Sequence, residues 1–322
     1  MLKKLTIDSL SAELTSVSSL LESAKKSGDI VGEMQLEHRL EKLTNQLQVL
    51  KEHTLKDNSA SVAIFFGGRP VLGSKGIAAD FAGKALEQFQ NLVSKTFAKS
   101  EIGQLGTRGK VPFKAQSELM VTGLARGSFG FILDEMSEQT ELEASELSRV
   151  IDKATRLLRD IAAQDEAVFE NLVEELDSRT LLALKDIFFN LDSNAATIRV
   201  VEDDLDIVLD SAAVHRGKIR TEATTIDEDT MEVSGVLKGV LPEHRKFEII
   251  DDSGNLVYGS VTKEAVEQFE YASKSLIVKR CTASVIVKTV KPLNRPPREV
   301  VRLIEFLNFE HSEINNTIHS TQ

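Results

Sequence analysis

The sequence predicts an α+β multidomain protein in three parts: an antiparallel, coiled-coil-like helical hairpin, a central α+β domain and a small five-stranded β-barrel. Three observations predict it. Leucines recur at heptad spacing in two runs between residues 10 and 50. The strands of the middle stretch arrive as hairpins and not as alternating strand–helix units, which selects α+β over a doubly wound sheet. The last stretch reads as three strands, a helix and two more strands, with glycines at the bends.

The hairpin occupies residues 1–57. Leu10, Leu14, Val17, Leu21 and Ala24 are spaced 4, 3, 4, 3, and Leu36, Leu40, Leu43, Leu47 and Leu50 repeat that spacing. Between the runs, Gly28 suits the left-handed residue that closes a helix, and Asp29 suits the N-cap of the next one. Each arm is about 30 Å long at 1.5 Å per residue. Two such helices alone bury little and are marginal in water. The seam residues Leu10, Leu14, Val17, Leu21, Leu36, Leu40, Leu43 and Leu47 are therefore the candidate partner-binding set. The cover is a second copy completing a four-helix bundle, another protein, or the chain's own body.

The central domain, residues 58–223, opens with a strand at Val62–Phe66. Gly67-Gly68 reads as a tight turn, with Arg69-Pro70-Val71 starting a returning strand. A helix follows from Ile77 to Lys99, then strands at Glu118–Ala125 and Ser128–Asp134, helices between Glu143 and Asn190, strands at Thr197–Val201 and Leu205–Leu209, and a short helix near Ser211–Thr221. The third part, residues 224–309, has strands at Thr230–Val240, Lys246–Ile250, Leu256–Val261, Leu276–Val290 and Glu299–Phe306, with a helix at Lys263–Tyr271 before the fourth. That order is the order of an OB-type barrel. Residues 310–322 form a polar tail.

Composition narrows the function classes. The 322 residues are 41% hydrophobic and 28% charged, with a net charge of −11, so binding nucleic acid over the whole surface is disfavoured. The single cysteine, Cys281, leaves no disulfide framework and no thiolate zinc site. No apolar run reaches the roughly 18 residues that a membrane span needs. The N-terminal stretch lacks the apolar core of a signal peptide, because Asp8, Ser9, Ser11 and Glu13 interrupt it. The expected compartment is the cytoplasm, with no membrane partner.

Charge asymmetry is the strongest chemical signal. Lys274, Lys279, Arg280, Lys288, Lys291, Arg295, Arg298 and Arg302 face a single acid, Glu299, which gives this stretch a net +7 and leaves −18 for the rest. Such strands suit an acidic protein surface or nucleic acid. The stretch contains no aromatic residue on which a base could stack. A second set, Arg69, Arg108, Arg126 and Ser128, sits among glycines that would let backbone amides approach an anion, though without phosphate-loop spacing. The simpler reading of Gly127 to Phe131 is a β-hairpin or bulge, with Phe129 or Phe131 pointing into the core. The acidic run Glu202-Asp203-Asp204-Leu205-Asp206 reads as a solvated hairpin loop. The six histidines are scattered, Cys281 reads as a small buried hydrophobe, and no catalytic arrangement, metal or cofactor is called for.

Together these features predict a non-enzymatic interaction or assembly subunit. It would self-associate or dock a protein partner through the hairpin, and contact an acidic surface through residues 274–302. One alternative is a nucleic-acid-binding accessory protein using those same strands. A second is an enzyme acting on a phosphorylated ligand through the Arg69, Arg108 and Arg126 region.

Overall fold

A computed structural model describes residues 2–52, 59–103, 109–125, 129–136, 145–203, 205–273, 278–291 and 296–311. It is an α+β structure. Its described residues divide into two compact units, one within Met1–Ile102, Lys110–Phe169 and Leu182–Ile219, the other within Gly103–Gly109, Glu170–Leu181 and Arg220–Gln322. Among the described residues no helix is long and apolar enough to cross a membrane.

The first unit begins with the helical pair α1 (Lys3–Ser27) and α2 (Ile30–Glu52). Gly28 closes α1 at φ 70°, and the amide of Asp29 donates back to Ala24 O at 3.1 Å. Asp29 Oδ1 then accepts from Gly32 N at 2.9 Å, which starts α2 as the sequence predicts. The body is a five-stranded sheet ordered β4-β5-β1-β6-β7. Its strands are β1 (Ser61–Gly68), β4 (Leu119–Ala125), β5 (Phe129–Glu135), β6 (Ala196–Glu202) and β7 (Leu205–Leu209). Every pairing in it is antiparallel.

Gly67-Gly68 does not turn the chain into a returning partner of β1. The short strands β2 (Val71–Leu72) and β3 (Gly76–Ile77) pair with each other, while β1 pairs with β5 and β6 along its whole length. The glycine serves this close approach: a Cβ on Gly68 would sit 2.2 Å from Ala195 O. Phe66 and Ile64 face the helical layer, where Phe66 meets the Phe81 ring edge-on at 5.3 Å. That layer contains α3 (Ala79–Ile102) and α4 (Glu146–Ile161). The remaining helices before the second sheet are α5 (Glu166–Glu175), α6 (Ser178–Ser193) and α7 (Ser211–Ala223). Ser145 caps α4, accepting from Ser148 N at 3.1 Å.

The opposite sheet face carries Ala63, Phe65 and Val201, and its cover is the start of α1, with Leu2 and Leu5 packed on these residues. The adjoining ion pairs are Lys4–Asp206 at 3.2 Å, Arg199–Asp206 at 2.7 Å and Arg199–Asp8 at 3.6 Å. Arg199 also lies 5.5 Å over the Phe65 ring.

The second unit contains β8 (Thr225–Leu241), β9 (Lys246–Asp251), β10 (Leu256–Val261), α8 (Lys263–Ser273), β11 (Val278–Lys291) and β12 (Arg298–His311). The strands follow one another in the ring β8-β9-β10-β12-β11 and back to β8, with β10 and β12 parallel and all other pairs antiparallel. Two glycines permit the tight closure, since a Cβ on Gly235 would meet Ile250 O at 2.1 Å and one on Gly259 would meet Val301 O at 1.9 Å. Phe247, Ile249, Cys281, Ala283, Val285 and Leu303 fill the interior.

The hairpin groove and the charged clusters as candidate sites

Ion pairs bridge the two arms of the hairpin. Lys25 bridges Glu33 at 3.7 Å and Glu37 at 2.9 Å, and nearer the root Arg39 pairs with Glu13. Of the predicted seam, Val17 and Leu43 are buried, as is Ala24. Leu10, Leu14, Leu21, Leu36, Leu40 and Leu47 are only half-buried. The two helices thus bury Val17, Ala24 and Leu43 and leave the other seam leucines partly exposed. Beside the seam lies a groove of about 740 Å³, in which Leu10, Val49 and Leu50 supply the apolar lining and His38, Glu41 and Lys42 part of the polar rim. At the far end Leu20, Ile30, Val31 and Met34 are more than half exposed.

The basic stretch is largely answered within its own unit. Arg280 pairs with Asp252, Lys291 with Asp227 at 2.6 Å, and Arg298 with Glu170 at 3.3 Å. Lys288 is buried and donates to Val173 O at 2.6 Å. The underlying reason is strand pairing: β11 lies against β8, so Lys288 faces Glu228, Thr289 faces Asp227, and Val287 faces Asp229. The local +7 is thus set beside an acidic strand some sixty residues upstream. Arg302 is half-buried in β12, with Ser260 of β10 and Ile286 of β11 as its cross-strand neighbours. The Lys279 side chain, Lys274 and Arg295 lie outside the described residues.

The anion set is only partly placed. Arg69 donates from its guanidinium to Ser193 O at 3.1 Å and from its amide to Ala195 O at 3.2 Å, so the turn before β6 engages it. Arg108, Arg126 and Ser128 lie outside the described residues. Phe131 packs against Phe66 at 6.4 Å and against Phe129 at 5.7 Å, as the hairpin reading expects. Cys281 is buried, and burial pushes its thiol up to about 11, which leaves it unreactive.

Two groupings escape sequence reasoning. Asp192 accepts from Lys218 Nζ at 2.9 Å and contacts His215 Nδ1 at 3.1 Å, and Lys218 above all holds its carboxyl below the usual range. His215 and Lys218 lie three residues apart on α7, and Asp192, more than twenty residues earlier in the chain, is the acid that both meet. The second is Glu202. The acidic run is not wholly a solvated loop, because β6 extends one residue past Val201 and strand alternation places Glu202 on the same face as Ile198 and Val200. Glu202 is 3% exposed, and its Oε2, like Thr155 Oγ1, has no hydrogen-bond partner among the described residues. Burial, reinforced by the charges of Asp152 and Asp203, pushes this carboxyl up to about 9. Among the described residues no three His, Cys, Asp or Glu side chains form a group that could hold a metal ion.

Comparison with known proteins finds no family model, no curated protein and no solved structure that matches the chain.

Proposed function

We propose that the chain is a non-enzymatic interaction or assembly subunit whose helical hairpin docks a helical partner, either a second copy or another protein. The observation that carries this reading is the unequal treatment of the two helices. The start of α1 is rooted on the sheet through Leu2 and Leu5, while the partner with which α2 chiefly packs is α1. The leucine seam is left half-covered, with the groove of Leu10, Val49 and Leu50 beside it. A third helix laid in that groove would remove apolar surface that two helices cannot cover by themselves.

In the same reading the closed five-stranded sheet is an OB-type small barrel, supported by its strand order and by the helix between β10 and β11. Its basic strands meet an acidic surface, and the pairing of β11 with β8 supports that surface being partly the chain's own. The nucleic-acid alternative draws less support, because four of the eight cations already have partners within the unit.

The test is the mass of the full chain in solution, together with whatever co-purifies from its native host. Val49→Glu, at a position 53% exposed, and Leu10→Glu, on the half-buried seam, place charge in the groove. Loss of an oligomer or of a co-purifying protein in these variants is the expected result. A parent chain that is monomeric, alone and indistinguishable from both variants would remove the proposal.

A further inference from the structure

We infer that the outer face of β9, β10 and β12 binds a nucleoside phosphate, with the phosphate over Ser260 between Lys246 and Arg302 and the base laid on the Tyr258 ring. Register assembles the site. Ser260 has Lys246 as its neighbour on β9 and Arg302 as its neighbour on β12, so the three side chains form one row across the strands. Val257 and Val261, Phe247 and Ile249, and Val301 and Leu303 point into the ring's core. Alternation therefore turns Ser260, Lys246 and Arg302 outward on their three strands. Gly259, with no Cβ to hold Val301 O away, lets β10 lie close against β12 beside this row. Two strand spacings separate the Lys246 and Arg302 backbones by about 10 Å, a gap that two long side chains close over one phosphate.

The charges of this row are unanswered, which is unusual for this chain. Acids outnumber bases by 50 to 39. Lysines and arginines of β11 and β12 elsewhere have found partners, Arg280 on Asp252, Lys291 on Asp227, Arg298 on Glu170 and Lys288 on Val173 O. Lys246 and Arg302 have no ion pair and no side-chain hydrogen bond among the described residues, and the Ser260 hydroxyl between them has none either. Two cations and a hydroxyl in one row thus offer donors that only an anion from outside completes.

The neighbouring row selects which anion. Tyr258 precedes Ser260 by two residues, faces outward with it and is 66% exposed. It stands about 6.6 Å along the strand from the phosphate row, a span that a sugar bridges between a phosphate and its base. Its ring is the stacking platform that residues 274–302 do not contain. The row of Tyr258 continues through Glu248 to Gly239, where the space is open. Glu248 accepts hydrogen bonds from base amino or sugar hydroxyl groups. The same carboxylate repels a run of acidic side chains, and an acidic peptide has nothing flat to lay on the ring.

The test is nuclear magnetic resonance of the full chain with isotope-labelled tyrosine rings, titrated at low salt with adenosine monophosphate and with a short oligoadenylate. Tyr258 and Tyr271 are the only tyrosines, so Tyr271→Phe assigns their signals. The contacts are few and the face is open, so the expected Kd for the mononucleotide is on the order of 0.1–1 mM. The Tyr258 signals should move, with adenosine alone and inorganic phosphate alone binding at least about tenfold more weakly. Tyr258→Ala and Lys246→Glu should each weaken binding about tenfold at unchanged melting temperature, while Tyr258→Phe, which keeps the stack, binds like the parent. Tighter, more salt-sensitive binding of the oligoadenylate assigns the nucleotide to a single strand, and equal binding assigns it to a free nucleotide. Tyr258 signals that stay still with both ligands overturn the inference. So does equal binding in Tyr258→Ala, or inorganic phosphate or a polyglutamate peptide binding as tightly as adenosine monophosphate.

Discussion

Replacing Glu202 by glutamine removes a proton that the folded chain is forced to hold. The carboxyl lies at the end of β6, under α4, where Asp152 and Arg156 are the nearest charged groups of that helix. Arg156 does little to relieve it, because its guanidinium is held by Asp152 in two hydrogen bonds of 2.7 and 3.0 Å. Unfolded, the group titrates near its ordinary 4.5; folded, it titrates at about 9. Between those values the native state binds a proton that the unfolded state has released. Stability therefore falls as pH rises through the window, by up to about 1.4 kcal/mol per pH unit, and is level below and above it. From pH 5 to pH 8 the penalty amounts to about 4 kcal/mol. Glutamine has no such proton, and other titrating groups cancel in the comparison. The stability of Glu202→Gln relative to the parent should thus rise steadily from pH 5 to pH 8. For a unit of this size that is about 10 °C in melting temperature. Urea or thermal melts followed by far-UV circular dichroism measure the difference. Tyrosine emission supplies an internal control, because the chain has no tryptophan and its two tyrosines, Tyr258 and Tyr271, both lie in the second unit. Parallel pH profiles for the two proteins would refute the reasoning.

Three further outcomes follow from single contacts. Leu43→Ala empties a fully buried position in the hairpin; it should cost about 2–4 kcal/mol locally and speed hydrogen exchange in α1 and α2 while the β8–β12 amides stay protected. Asp206→Asn cuts the ion pairs of Lys4 and Arg199 at the root of α1. Hydrogen bonding from Arg199 above all holds the Asp206 carboxyl low, so its stabilisation is present above the ordinary carboxylate range and lost as pH falls through the depressed value. The cost should be about 1–3 kcal/mol near neutrality and shrink as pH falls below the ordinary carboxylate range, as read by melts across a pH series. Gly259→Ala drives a methyl into Val301 O; prying β10 from β12 should cost about 1–3 kcal/mol, seen as a lower urea midpoint in tyrosine emission.

What was legible in the sequence is what neighbouring residues decide. The heptads locate α1 and α2, and Gly28 and Asp29 locate the turn, because these signals act over three or four residues. Alternation likewise finds β4 to β12 within a few residues of their ends. The failures are long-range. Gly67-Gly68 has the composition of a hairpin turn, yet its role is set by Ala195, more than a hundred residues away. The +7 of residues 274–302 is a correct local sum, but β8 brings Asp227, Glu228 and Asp229 alongside it. Glu202 was one residue from being legible: with the strand ended at Val201 it falls in a loop, and with one more residue it shares the core face of Ile198 and Val200.

The question of what covers the hairpin divides along the same line. Its leucine seam starts at Leu10, but the residues that root it, Leu2, Lys4, Leu5 and Asp8, come earlier and carry no heptad signal. They act through an open sheet face whose existence depends on β1, β5 and β6 having paired first. The chain's own body is therefore one answer, and it reaches only the first turns of α1. Farther along, the seam leucines stay half-covered beside an open groove, and among the described residues no element of the body packs on α2 as α1 does. Internal docking and partner docking are thus not rival explanations of one surface. They concern different segments, the first fixing where the hairpin leaves the sheet and the second, under the proposed function, covering what two helices leave exposed.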